Sequence, residues 1–207
     1  MNIIECQQGT DEWLQARAGK VTASRINDVM AKIKTGESAA RRDYKFEIVT
    51  EILTGQPTAS IFMNDAMRWG TEHEPFARAA YEMSHGVLVE QVGLVIHPSI
   101  ERGAASPDGL VGDTSLIEVK CPKTATHLGY LMDGKVPSQY HNQMLWQMAC
   151  TERHSCDFVS FDPRLPDDLQ LFVVTLDADL ARIQEIENEV MMFLSEVDSI
   201  IANLKNR

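Results

Sequence analysis

Five short stretches rich in β-branched and aromatic residues, at 87–96, 102–105, 116–121, 155–161 and 169–176, fill the second half of the chain. Gly, Pro and Asp turns bound them, and together they predict one mixed β-sheet. Between the third and fourth, residues 138–150 read as a helix, with Tyr140, Met144 and Met148 four apart. After the last strand, 177–206 predicts a long helix whose apolar stripe is Ile183, Ile186, Val190, Phe193, Leu194, Val197, Ile201 and Leu204. Upstream, 11–17 and 24–33 read as short helices, the second with Ile26, Val29, Met30 and Ile33 at helical spacing behind Ser24 as N-cap. Residues 42–53 place Phe46, Val49, Ile52 and Leu53 on one face and stop at Thr54-Gly55, and another helix is expected from about 66 to 83. Helices against a central mixed sheet give an α/β (α+β) fold. With 207 residues and no repeat or linker, one domain spanning 1–207 is expected.

Composition narrows the class. Hydrophobic residues make up 44% and charged residues 24%, and no apolar run approaches the length of a membrane span. The first residues lack a basic start followed by an apolar stretch, so no secretory signal is read and a cytoplasmic location is expected. Cys6, Cys121, Cys150 and Cys156 have no C-x-x-C spacing, which favours reduced thiols over a zinc or iron–sulfur site. A formal net charge of −11 argues against nucleic-acid binding, which rests on neutralising phosphates. The distribution is uneven, however. Between 15 and 45, Arg17, Lys20, Arg25, Lys32, Lys34, Arg41, Arg42 and Lys45 outnumber Asp28, Glu37 and Asp43, whereas the stretch after Asp162 is acidic. For charge bias alone, two solvated faces are the simpler explanation.

The most informative stretch is Ser106-Pro107-Asp108-Gly109, followed by Glu118-Val119-Lys120. On a strand, Glu118 and Lys120 project from one face and Val119 from the other. Such a pair alone is more often a salt bridge than a site. A Pro-Asp turn one strand upstream changes the balance, because a hairpin brings Asp108 beside Glu118. Two converging carboxylates suit a hard divalent cation, magnesium best and manganese next. A second ion about 3.5–4 Å away would share the work of phosphodiester hydrolysis. Lys120 would orient the attacking water or, with a lowered pKa, take its proton.

Pro107-Asp108 and Glu118-Val119-Lys120 resemble the signature of the PD-(D/E)XK nucleases, with their restriction-endonuclease-like core. Gly9-Thr10-Asp11-Glu12-Trp13, Arg17, Val21-Thr22-Ala23-Ser24, Trp69-Gly70-Thr71-Glu72-His73-Glu74, Tyr140 with Gln143, and Phe161-Asp162-Pro163-Arg164 extend the likeness over most of the chain. In that order they resemble the phage lambda exonuclease, or YqaJ-like viral recombinase, family. The resemblance implies Asp108, Glu118 and the Val119 backbone carbonyl as metal ligands, Lys120 as catalytic lysine, and Glu74 as a helix-borne acid supporting the metal, sometimes through water. It also implies a glutamine that holds the site, either Gln143 or Gln147, since Leu145 stands where a close relative carries a second glutamine. Arg17 and Ser24 resemble a pocket for a 5′-terminal phosphate, with Trp13 stacking near the DNA or closing the core. By the same resemblance the chain would be a phage or prophage 5′→3′ exonuclease acting on linear duplex DNA. It would form a homotrimeric ring and work with a single-strand annealing protein.

Three rival readings stand beside this one, of which the first shares Asp108, Glu118 and Lys120. An endonuclease of the superfamily would cut closed circles, a repair nuclease with an iron–sulfur cluster would need the cysteines, and a DNA-end-binding scaffold would have lost the acids or the lysine.

Overall fold

The structure, a computed structural model, describes residues 1–58 and 65–206. In chain order it runs β1 (Asn2–Ile4), α1 (Asp11–Arg17), β2 (Val21–Thr22), a 3₁₀ turn (Ala23–Arg25) leading into α2 (Ile26–Val29), α3 (Ala39–Thr54) and α4 (Asp65–His85). The strands β3 (Val89–Glu90), β4 (Leu94–Ile96), β5 (Gly103–Ala105), β6 (Gly109–Val111) and β7 (Ser115–Lys120) follow. Then come α5 (Thr124–Asp133), α6 (Ser138–Thr151), β8 (Ser155–Phe161), a 3₁₀ turn (Asp167–Leu169), β9 (Leu171–Asp177) and α7 (Leu180–Lys205).

The strands divide between two mixed sheets, not the single one expected. One has the order β1-β4-β5-β2 and the other β3-β6-β7-β8-β9. The stretch 87–96 is where they part: β3 pairs with β6, whereas β4 pairs with β1 and β5. Gly93 sits at the break, and a Cβ there would lie 2.4 Å from the Ile4 carbonyl oxygen. Only glycine lets the N-terminal segment pass so close, and that segment draws β4 into the smaller sheet.

In the larger sheet β7 and β8 are parallel, with Lys120 opposite Ser160, and β6 and β9 flank them antiparallel. A parallel pair needs a crossover, which α5 and α6 supply. Both faces of the central strands are consequently buried. Leu116, Cys156 and Phe158 face a core shared with Met144 and Trp146 of α6, Tyr44 and Ile48 of α3, and Ile186, Val190, Phe193 and Val197 of α7. Ile117, Val119, Val159 and Phe161 face the other way, against Ala77 and Tyr81 of α4.

Local signals account for three of the helix starts. Thr10, Ser38 and Asp179 cap α1, α3 and α7 through side-chain oxygens that accept from the N–H of Trp13, Arg41 and Arg182. Ser24 does not act as a cap. It lies inside the 3₁₀ turn, and the helix behind it ends at Val29, short of the expected 33. The face of α3 also differs from the expected one. Phe46, Ile52 and Leu53 are exposed, while Tyr44, Ile48 and Val49 are buried together with Lys45 and Glu51. Polar partners turn the helix: Lys45 pairs with Glu37 and Glu196, and Glu51 accepts from the N–H groups of Gly19 at 2.7 Å and Thr58 at 2.9 Å. Buried charges are tolerated only with such partners.

Phe193 is fully buried between α3 and the sheet, stacked on Tyr44 at 5.6 Å. Phe193→Ala is expected to destabilise the fold by about 3–5 kcal/mol, read from urea unfolding with an unchanged m-value.

Candidate active site

The β6–β7 hairpin pairs Gly109 with Ile117, which sets the half-buried Asp108 opposite Glu118. The Val119 N–H donates to Asp108 Oδ2 at 2.6 Å and fixes that carboxylate against the strand. Gln8 Nε2 donates to the carbonyls of Pro107 and Val92, both at 2.9 Å, and the Trp13 indole N–H donates to Ser106 Oγ at 2.8 Å. The N-terminal segment thus pins the turn that carries Asp108. Sequence reasoning missed Gln8, for which no local pattern exists.

Glu118 is only 1% exposed, and each of its oxygens has a donor. Lys120 Nζ and Gln143 Nε2 donate to Oε1, the amide at 2.6 Å, and Gln147 Nε2 donates to Oε2 at 2.6 Å. Gln143 and Gln147 stand four residues apart and share one face of α6. Both glutamines therefore grip the acid, where the sequence left a choice between them. Lys120 Nζ also lies 5.3 Å from the Tyr140 ring centre.

Burial pushes the Asp108 carboxyl well above the usual carboxylate range, and the neighbouring charges of Glu118 and Glu74 push the same way against Lys120 and the Val119 N–H. Burial works to lower the Lys120 pKa, but Glu118 and Asp108 outweigh it and raise the ammonium above its ordinary value. Lys120 is therefore a held cation. A divalent cation between Asp108 and Glu118 would relieve their repulsion, so the donor set fits a hard metal ion.

Glu74 lies on α4, which covers the opposite face of the sheet, and its carboxylate is held by Arg78. Among the described residues no three His, Cys, Asp or Glu side chains are gathered into a metal-holding group. Two carboxylates, completed by water, backbone or phosphate oxygen, are what magnesium ordinarily takes from a protein. His73 is stacked on Trp69 at 3.6 Å, with its Nδ1 2.9 Å from the Trp69 carbonyl oxygen. The four thiols are free, Cys150 and Cys156 are buried, and no cysteine cluster forms among the described residues.

Trp13, Arg17 and Ser24 come together as one group. The Arg17 guanidinium lies 4.0 Å from the Trp13 ring centre and donates from Nη2 to Thr22 Oγ1 at 3.2 Å and Ser24 Oγ at 3.3 Å. Arg17 and Ser24 border a recess of about 160 Å³ that Lys20, Arg25, Tyr44 and the carboxylates of Glu47 and Glu51 also line. The rest of the basic stretch is not a free positive path. Arg25 pairs with Asp28 and Glu47, Lys32 with Glu189, Arg41 and Lys45 with Glu37 and Glu196, and Arg42 with Asp43. Folding spends most of these cations on carboxylates, two of them, Glu189 and Glu196, from the acidic α7. Arg17, whose hydrogen bonds go to hydroxyls, forms no ion pair among the described residues.

Comparison with known proteins places the chain. Two structures of LHK-Exo, an alkaline exonuclease from Laribacter hongkongensis, one in complex with dAMP, are 51% identical with a TM-score of 0.88, over 95% of this chain and 97% of theirs. A phage-related exonuclease from Haemophilus somnus has the same fold at 16% identity, with a TM-score of 0.72 over 89% of this chain and 96% of that one. An uncharacterized protein of Acanthamoeba polyphaga mimivirus is 26% identical over 170 residues, 76% of this chain, and the chain spans 29% of that protein's length. Among the described residues no helix is long and apolar enough to cross a membrane. The YqaJ-like viral recombinase domain matches residues 12–154, well over half of the chain, and includes Asp108, Glu118, Lys120 and both glutamines. The chain belongs to the YqaJ-like viral recombinase family.

Proposed function

We propose that this chain is a magnesium-dependent 5′→3′ exonuclease that digests one strand of linear duplex DNA to mononucleotides and leaves a 3′ overhang. The observation that carries the proposal is the convergence of Asp108 and Glu118 at one end of the β6–β7 hairpin, with Lys120 and two glutamines on the buried acid. The 51% identity to an alkaline exonuclease crystallised with dAMP, a deoxynucleoside monophosphate, supports the choice of reaction.

Asp108 and Glu118 would hold the ion, with the Val119 carbonyl as a further donor and Glu74 supporting it, directly or through water. Magnesium, with manganese able to replace it and a second ion sharing the work, supplies Lewis acidity toward the scissile phosphodiester. Gln143 and Gln147 keep the Glu118 carboxylate in one orientation, as outer partners of metal ligands do. Lys120 orients the attacking water and stabilises the charge that develops on phosphate. Arg17 and Ser24 would receive the 5′-terminal phosphate, and Trp13 would stack beside it. Three copies would form a ring around the DNA, and a single-strand annealing protein would take the exposed 3′ strand inside a bacterial cytoplasm, as expected for phage-type recombination. The acidic exterior would then discourage binding outside the ring.

Three measurements test this reading. Asp108→Asn keeps an acceptor for the Val119 N–H but removes the charge; it should lower magnesium-dependent digestion of linear duplex by about 10³-fold or more at unchanged circular dichroism. Undiminished activity, or wild-type cutting of closed circular DNA, would defeat the assignment. Arg17→Ala should remove most of the preference for 5′-phosphorylated over 5′-hydroxyl ends, and equal loss on both substrates would give Arg17 another role. Light scattering should report three chains per particle, and a strict monomer would exclude the ring.

A further inference from the structure

The first ten residues of α4 are weakly anchored, although they carry Glu74. None of residues 65–76 is buried, whereas Ala77 and Tyr81, beyond Pro75, are packed into the sheet. Pro75 cannot donate to the Thr71 carbonyl, and its ring crowds the preceding turn, so the segment before it is only loosely coupled to the rest of the helix. Within the helix Arg78, one turn on, holds the Glu74 carboxylate, but this half of the helix also needs an anchor from outside it.

Arg164 is placed to do so. Its Nε donates to Asp162 Oδ1 at 2.7 Å and its Nη2 to Asp162 Oδ2 at 3.0 Å, a two-point grip on a carboxylate that is fully buried. The same Nη2 donates at 3.0 Å to the carbonyl of Pro122, two residues past Lys120. The guanidinium carbon lies 4.4 Å from the Trp69 ring centre. Trp69 in turn stacks on His73, the residue before Glu74. Its indole N–H is buried without a hydrogen-bond partner among the described residues, so the ring is held by stacking. One planar cation thus ties the ends of β7 and β8 to the half-helix that carries Glu74. A lysine has neither the fork nor the flat face for this.

We propose that Arg164 is a positioning residue: through Trp69 and His73 it sets where Glu74 stands, and so tunes the affinity of the site for its divalent ion. This rests on the metal-site reading above.

Mn²⁺ titrated into the full-length protein and followed by calorimetry, without DNA, tests it apart from activity. Arg164→Ala should weaken Mn²⁺ binding by about tenfold or more, as loss of an outer partner typically does. Arg164→Lys should recover little, and Trp69→Phe, which keeps a stacking face, most of the affinity. Because the effect runs through Glu74, adding Arg164→Ala to Glu74→Gln should cost nothing further. Unchanged Mn²⁺ affinity in folded Arg164→Ala, or a full additional loss in the double variant, would overturn the proposal while Asp108→Asn still abolished binding. If wild type itself bound no Mn²⁺, the metal-site reading would fall, and this proposal with it.

Discussion

The buried carboxylate of Glu118 is the constraint around which this molecule is arranged. Taking an ionised carboxylate out of water costs several kcal/mol even after relaxation, of order what a small domain has to spare. It is tolerated because an ammonium and two amides donate to its two oxygens. Those donors come from the same strand and from a helix 25 and 29 residues further on. The acid can therefore exist only if α6 is laid across that face of β7 in one rotation. Trp146 on the same helix, fully buried with its indole N–H on the Ala104 carbonyl, fixes that rotation from the smaller sheet.

The two faces of β7 divide the labour. Leu116, Glu118 and Lys120 look toward α6, so one face changes from core to chemistry along its length. Ile117 and Val119 look toward α4 and are apolar throughout. Glu74, on the helix covering that second face, influences Asp108 electrostatically beyond the hairpin end. The site thus sits where the sheet stops, and the segments that close it, the Gln8–Trp13 stretch that enters α1 and the Asp162–Arg164 turn, are tied down by hydrogen bonds to backbone carbonyls and a serine.

Electrostatics explain how a chain of net charge −11 accommodates a phosphate-directed function. The cations between Arg25 and Lys45 are mostly paired with carboxylates of α2, α3, α7 and the loop before α3, so they serve folding. Cations placed with specific geometry remain: Lys120 beside its acids, and Arg17 over Trp13 with two hydroxyls in reach. Recognition by a few fixed charges differs from recognition by a broad positive surface, and the charge balance along the sequence could not distinguish them.

Where local physics decides, the sequence alone determined the outcome. The 3.6-residue stripe of α7 recurs from Ile186 to Ile201, with Leu204 exposed where the helix runs past the core, and so does the alternation in β7, because periodicity is set by backbone geometry. The pairing of Asp108 with the Glu118 strand was legible too, since a short hairpin brings its own ends together. Tertiary structure decided what depends on distant partners. It divided the strands between two sheets at Gly93, turned α3 toward Tyr44 and Ile48 through the charges of Glu37 and Glu196 and the backbone N–H of Gly19, and placed Ser24 under Arg17 instead of at a helix start. It also recruited both glutamines, because a carboxylate has two oxygens and a buried one must satisfy each, which no reading of a single helix can reveal.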